Sequence, residues 1–121
     1  MLIKRDFYIN GRWVAPATPR DHEVIDPSSE EPCAIISLGS EADTNAAVAA
    51  AKAAFPAWAA TPPARRRELV AGILTQYEKR AEEFAQAISM EMGAPIDFSR
   101  SDQATCLPWH LNNFLKADRK S

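Results

Sequence analysis

The sequence predicts an α+β chain, with β hairpins over residues 1–39 followed by about four helices over residues 40–116. Three observations carry that reading. Asn10-Gly11 stands between strand-forming residues, and both positions tolerate the positive φ that a two-residue hairpin turn needs. After Gly39 the spacing of apolar residues changes to the three- and four-residue rhythm of a helix. Proline and glycine then recur where such helices should start and stop.

In order, "DFYINGRWV" reads as a tight hairpin: Phe7, Tyr8 and Ile9 on one strand, with Trp13 and Val14 opening the return. "APATPRD" is a proline-rich loop. "HEVIDP" is a short strand stopped by Pro27, "SSEEP" is a turn, and "CAIISLGS" is a strand ending at Gly39. These strands predict a small antiparallel element. Ser40 or Asp43 caps the first helix, where Val48, Ala51, Phe55 and Trp58 form one stripe, and Pro56 is expected to end or kink it. A second helix follows with Thr61 as cap and Pro62 first, its stripe being Leu69, Val70, Ile73, Leu74 and Tyr77. The third, with Phe84, Ala87, Ile88 and Met92, stops at Gly93 and Pro95. From Asp97 to Leu115 the pattern weakens: Phe98, Thr105, Trp109 and Leu115 are loosely spaced, and Pro108 lies among them.

Composition excludes several classes. A formal charge of −2 gives no electrostatic reason to expect nucleic acid or an anionic membrane. Apolar residues make up 46% of the chain, but many are alanine, which buries little area. The longest apolar run is broken by Lys52 and Pro56, so no membrane span is expected. No apolar segment of the secretory type opens the chain, and a cytoplasmic location is expected. Cys33 and Cys106 have no metal-binding spacing and are expected to be reduced thiols.

Candidate chemistry is sparse. Cys33, with Glu30 and Glu31 nearby, is expected to be buried and inert. Cys106, placed mid-helix, has His110 one turn on, so a thiol–imidazole dyad is conceivable on spacing alone. Glu82 and Glu83 suit a helix first turn, whereas Glu91 sits in a last turn, against the helix dipole, where a cationic partner would favour it. Arg65, Arg66 and Arg67 point in three directions with no aromatic platform, and read as a solvated face. The four glycines are isolated, so there is no phosphate-binding loop.

The organisation is lopsided. A few strands without a larger sheet are marginal, and narrow helical stripes need a cover. A segment of a longer protein is therefore expected, and the tail "ADRKS" has no pattern of its own. The whole arrangement resembles the amino-terminal part of the NAD(P)-dependent aldehyde dehydrogenase superfamily. "FYINGRWV" resembles that family's opening hairpin, "VIDPSSEEPCAIISLGSEADTNAAVAAAKAAFPAW" its "NP.tge…aDvd.Av.aA..AF..W" region, and "TPPARRRELVAGILTQYEKRAEEFAQAISMEMGAP" its "eR…L..ia..l…elA.l.s.E.GkP" region.

The resemblance implies that in the complete enzyme these residues form part of an α/β Rossmann-like cofactor-binding domain, with catalytic and oligomerisation regions lying outside the chain. It implies NAD or NADP as cofactor, a dimeric or tetrameric assembly, and oxidation of an aldehyde by a cysteine, an oxyanion-holding asparagine and a glutamate that activates water. All three lie downstream in the family. "MEMGA" and "QATC" mimic the glutamate and cysteine motifs but lack their surroundings, so no catalytic or cofactor-binding residue is carried over. Without them the chain alone is expected to bind no cofactor and to be inactive, its partner being the remainder of the dehydrogenase fold. The resemblance also implies a monovalent-cation site using Val24 and Ile25 carbonyls with Glu91, and a substrate entrance lined by Asp102, Cys106, Trp109 and His110. Pro108 leaves the face of that last helix open. The rival reading is a stand-alone helical interaction module that binds a full-length relative.

Overall fold

A computed structural model describes residues 1–117. The chain is mixed α+β and forms two compact units, Met1–Ala60 and the residues from Thr61 onward. The division falls after the first helix rather than at Gly39, because that helix packs with the strands before it.

The first unit holds β1 (Leu2–Lys4), β2 (Phe7–Ile9), β3 (Arg12–Val14), β4 (Asp21–Asp26), β5 (Glu31–Ser37) and α1 (Glu41–Ala60). The expected hairpin is β2–β3, with Phe7 opposite Val14 and Ile9 opposite Arg12. Its turn has φ of 53° at Asn10 and 77° at Gly11, the left-handed pair that this dipeptide accepts at little steric cost. Tyr8 and Trp13 meet across the strands, edge to face, with ring centroids 5.2 Å apart.

The remaining strands correct the expectation of an all-antiparallel element. They form a separate sheet in the order β1-β5-β4, and β1 runs parallel to β5, with Ile3 beside Ile35. Three residues are too few for a strand signal in the sequence. β1 exists because β5 offers it a free edge, and Arg5 anchors the exit from β1 with two hydrogen bonds to the Asp21 carboxylate, at 2.7 and 2.8 Å. Between Val24 and Ile25 the β4–β5 register slips, so that Cys33 is the extra residue between Pro32 and Ala34. Pro32 has no N–H to give to a ladder, which suits the bulge. β5 ends at Ser37, two residues before Gly39.

Ser40 caps α1. Its hydroxyl accepts the Asp43 N–H at 3.3 Å, while the Asp43 carboxylate accepts the Ser40 N–H at 2.8 Å and the Ser40 hydroxyl at 2.7 Å. This is a capping box closed by aspartate. The same carboxylate accepts the Ala17 N–H at 2.8 Å, tying the proline-rich loop to the helix start. Of the two outcomes expected at Pro56, an end to the helix is overturned: α1 continues to Ala60. Pro56 denies the Lys52 carbonyl its donor, but Lys52 is exposed, so water can take that place, and the surrounding alanines favour helix.

The second unit holds α2 (Pro63–Glu78), α3 (Ala81–Met92), a helical turn α4 (Ile96–Phe98), a π-helical segment over Ser99–Gln103, and α5 (Cys106–Ala117). α2 starts one residue later than expected, with Pro62 at the cap and Pro63 first, and no side chain caps it. Of its expected stripe, Val70, Leu74 and Tyr77 are half-buried while Leu69 and Ile73 face solvent. Gly93 ends α3 as expected, at φ 71°, donating its N–H to the Ser89 carbonyl at 3.0 Å.

The weak last segment resolves into three short pieces. The N–H of Ala104 reaches the Ser99 carbonyl, five residues back, at 2.8 Å. That widened turn explains why no single helical rhythm fits residues 97–115. Cys106 is the first residue of α5, not mid-helix, and Pro108 lies in the first turn, where a missing N–H costs nothing. The half-buried face of α5 is Pro108, Leu111 and Leu115, whereas Trp109 is exposed. The tail "ADRKS" lies, after Ala117, outside the described residues.

Removal of the cap hydroxyl in Ser40→Ala is expected to lower stability by about 1 kcal/mol in denaturant unfolding. Asp43→Ala should lower the midpoint further, because it strands N–H donors of both Ala17 and Ser40.

Candidate functional site

The second unit carries an apolar trough between α2, α3 and α5. Its walls include Leu69, Ile73, Tyr77, Phe84 and Leu107, and its volume is about 640 Å³. The walls are placed by a short set of contacts. Tyr77 and Phe84 stack with centroids 4.5 Å apart, and the Tyr77 hydroxyl donates to the Ala104 carbonyl at 2.7 Å, linking α2 to the start of α5. Burial, and secondarily the neighbouring Cys106, raises the Tyr77 pKa, so the phenol stays a donor at neutral pH. α3 packs against the π-helical segment, and Ala85 on the one and Ser99 on the other are 1% and 0% exposed.

Charged groups ring the unit. Arg100 reaches Glu82 through two nitrogens, at 2.7 and 2.9 Å, and Asp97 at 3.3 Å, while Gln86 donates to Glu82 at 2.8 Å. The Arg100 guanidinium, then the Gln86 amide, bring the Glu82 carboxyl from 4.5 down to about 2. Glu82 and Glu83 stand in the first turn of α3 as expected, Glu83 paired with Arg80 at 2.8 Å. These are structural ties, exposed and away from any nucleophile. In the basic run Arg65 is exposed and pairs with Glu68 at 2.7 Å, whereas Arg66 and Arg67 are half-buried, which corrects the expectation of a wholly solvated face.

The sequence-derived site residues divide as follows. Val24 and Ile25 flank the β4–β5 bulge in the first unit, and the Val24 carbonyl accepts the Cys33 thiol at 3.2 Å. Cys33 is thus held as a donor, though half-buried rather than buried. Glu91 is exposed in the last turn of α3, in the second unit, and its carboxylate makes no hydrogen bond or ion pair among the described residues. A main-chain carbonyl with a spare lone pair and an unengaged carboxylate are donors of the type a hard monovalent cation takes. No three His, Cys, Asp or Glu side chains cluster as a metal site among the described residues.

Asp102 lies on the π-helical segment, and Cys106, Trp109 and His110 on the first turns of α5; all four are exposed. Cys106 and His110 share no hydrogen bond. The His110 ring instead meets Trp109 edge-on, with centroids 4.8 Å apart. The dyad that spacing allowed is not assembled, since a nucleophile needs its base within hydrogen-bond reach. The sequence signal for the trough is faint: Leu69 and Ile73 lie on the opposite edge of the α2 stripe from Val70 and Leu74.

Comparison with known proteins decides the family. The aldehyde dehydrogenase family model matches residues 13–115. The chain belongs to the aldehyde dehydrogenase family. It is 44% identical over 92 residues to a 3-succinoylsemialdehyde-pyridine dehydrogenase of a Pseudomonas species, covering 76% of this chain and 19% of the relative. An aldehyde dehydrogenase from Bartonella henselae superposes with a TM-score of 0.98 at 52% identity, covering 100% of this chain and 25% of that one. A mutant of aldehyde dehydrogenase C from Pseudomonas syringae, complexed with NAD+ and octanal, gives 0.92 at 40% identity over 95% of this chain and 24% of the other. This aldehyde dehydrogenase segment therefore spans about a fifth of the length of the curated relatives and a quarter of the solved chains. Among its described residues no helix is long and apolar enough to cross a membrane.

The Glu82–Arg100 tie makes a prediction with a definite sign. A carboxyl depressed from 4.5 to about 2 contributes stability that is present above 4.5 and lost as pH falls towards 2. Melting curves of the chain and of Glu82→Gln should differ by a small, constant amount above that window and converge below it. Exposure keeps the difference small.

Proposed function

We propose that this chain is the amino-terminal segment of an NAD(P)-dependent aldehyde dehydrogenase, oxidising an aldehyde to a carboxylic acid only within the complete enzyme. Its role there is to pack around the cofactor domain, and its 121 residues alone are inactive. The observation that carries the reading is the open apolar trough of Leu69, Ile73, Phe84 and Leu107, a surface with the character of a core that lacks its other half. The Pseudomonas syringae relative, complexed with NAD+ and octanal, supports NAD and an aldehyde as the parent's reactants.

In that parent the proposal assigns a monovalent cation to the Val24 and Ile25 carbonyls and Glu91, and the substrate entrance to Asp102, Cys106, Trp109 and His110. It takes the enzyme as a cytoplasmic dimer or tetramer that needs neither nucleic acid nor membrane. The nucleophilic cysteine, the oxyanion asparagine and the water-activating glutamate belong to the downstream sequence. Nothing in the two exposed cysteine–histidine positions of α5 replaces them.

The purified chain tests the reading directly. Incubated with octanal and NAD+ or NADP+, it should form no reduced nicotinamide, and it should bind an apolar dye strongly. Turnover of the cofactor would overturn the proposal. A cooperatively folding monomer that leaves the dye unbound, or a stable complex with a full-length relative, would favour the stand-alone interaction module instead.

A further inference from the structure

We propose that Asn10 is a site of spontaneous deamidation, converting the β2–β3 turn to aspartate and isoaspartate. Both reacting groups are accessible. Asn10 and Gly11 are exposed at the tip of a hairpin whose strands are three residues each. Among the described residues neither the Asn10 amide nor the Gly11 N–H makes a hydrogen bond. Chain neighbours aside, no heavy atom comes within 4 Å of the position a Cβ would take on Gly11.

The chemistry uses only water as co-reactant. The Gly11 nitrogen attacks the Asn10 Cγ, a Cγ–N bond forms, and the Cγ–Nδ2 bond breaks. Ammonia departs with the proton that Gly11 gives up, leaving a five-membered succinimide. Water then opens the ring at either carbonyl, giving aspartate or, with the main chain rerouted through Cγ, isoaspartate. Losing the Gly11 proton makes the step faster at higher pH.

The ring requires Asn10 to leave its left-handed conformation, and the hairpin permits that. The ribbon's strands are three residues each and its turn is exposed, so its tip can open locally without unfolding the unit. The products differ in consequence. Aspartate tolerates the φ of 53° found at Asn10 and leaves the turn intact. Isoaspartate adds a methylene to the main chain, which breaks the two-residue count that sets Phe7 against Val14 and separates Tyr8 from Trp13.

The chain carries its own controls, because Asn45, Asn112 and Asn113 lie inside α1 and α5 and precede residues with side chains. The purified chain is aged at mildly alkaline pH, and amide loss at each asparagine is followed by peptide mass spectrometry. Asn10 should convert at least an order of magnitude faster than the other three, with isoaspartate among the products. Gly11→Ala should slow it severalfold by crowding the attacking nitrogen, even though that change strains the turn. A rate at Asn10 equal to that at the helical asparagines, or unchanged in Gly11→Ala, would overturn the proposal.

Discussion

Too little of this chain's apolar surface has internal cover, and its architecture is built around that shortage. Among the described residues the buried apolar side chains are Ala34, Ala85 and Ala104, each small. Hydrophobic stabilisation scales with apolar area removed from water, at about 25 cal/mol per Å², and alanine removes little of it. Meanwhile Val48, Phe55, Leu69, Ile73, Phe84 and Phe114 stay exposed, Phe55 at 65%. Apolar side chains of α1, α2, α3 and α5 thus remain largely in solvent, Phe84 despite its stacking on Tyr77. The uncovered trough of the second unit is one expression of that imbalance.

With so little core, element boundaries rest on polar devices. One carboxylate, Asp43, engages the cap of α1 and the loop at Ala17, and hydrogen bonds from Ala17, then from the Ser40 side chain and main chain, hold it ionised below the usual aspartate range. Arg5 and Asp21 join β1 to β4 at their ends. In the second unit Tyr77 bridges α2 to Ala104, and Arg100 bridges the π-helical segment to α3. Each is individually modest, since exposed ion pairs contribute about 0–1 kcal/mol and a neutral hydrogen bond about 1 kcal/mol. Their effect is positional: they decide where helices begin and how closely two backbones approach.

Elements whose cause is local were legible in the sequence. The Asn10-Gly11 hairpin, the Ser40 cap and the Gly93 stop each depend on one or two residues whose conformational preference is strong. The misreadings share a different origin. β1 is a strand only because β5 lies beside it, α1 runs through Pro56 on an exposed stretch of helix, and the π-helical turn displaces the rhythm of residues 97–115. Of the candidate site, the positions on α5 were legible as neighbours one turn apart. That His110 contacts Trp109 rather than Cys106 depends on side-chain directions that spacing does not specify.

Fold class and family resemblance were legible from the sequence alone, because both reside in residue types and their order along the chain. The tertiary structure alone decided which half of each apolar stripe is covered, how β1 and β5 pair, and where the π-helical turn lies. Those outcomes depend on non-local contacts, in which a residue's partner is set by packing in space and not by its distance along the chain.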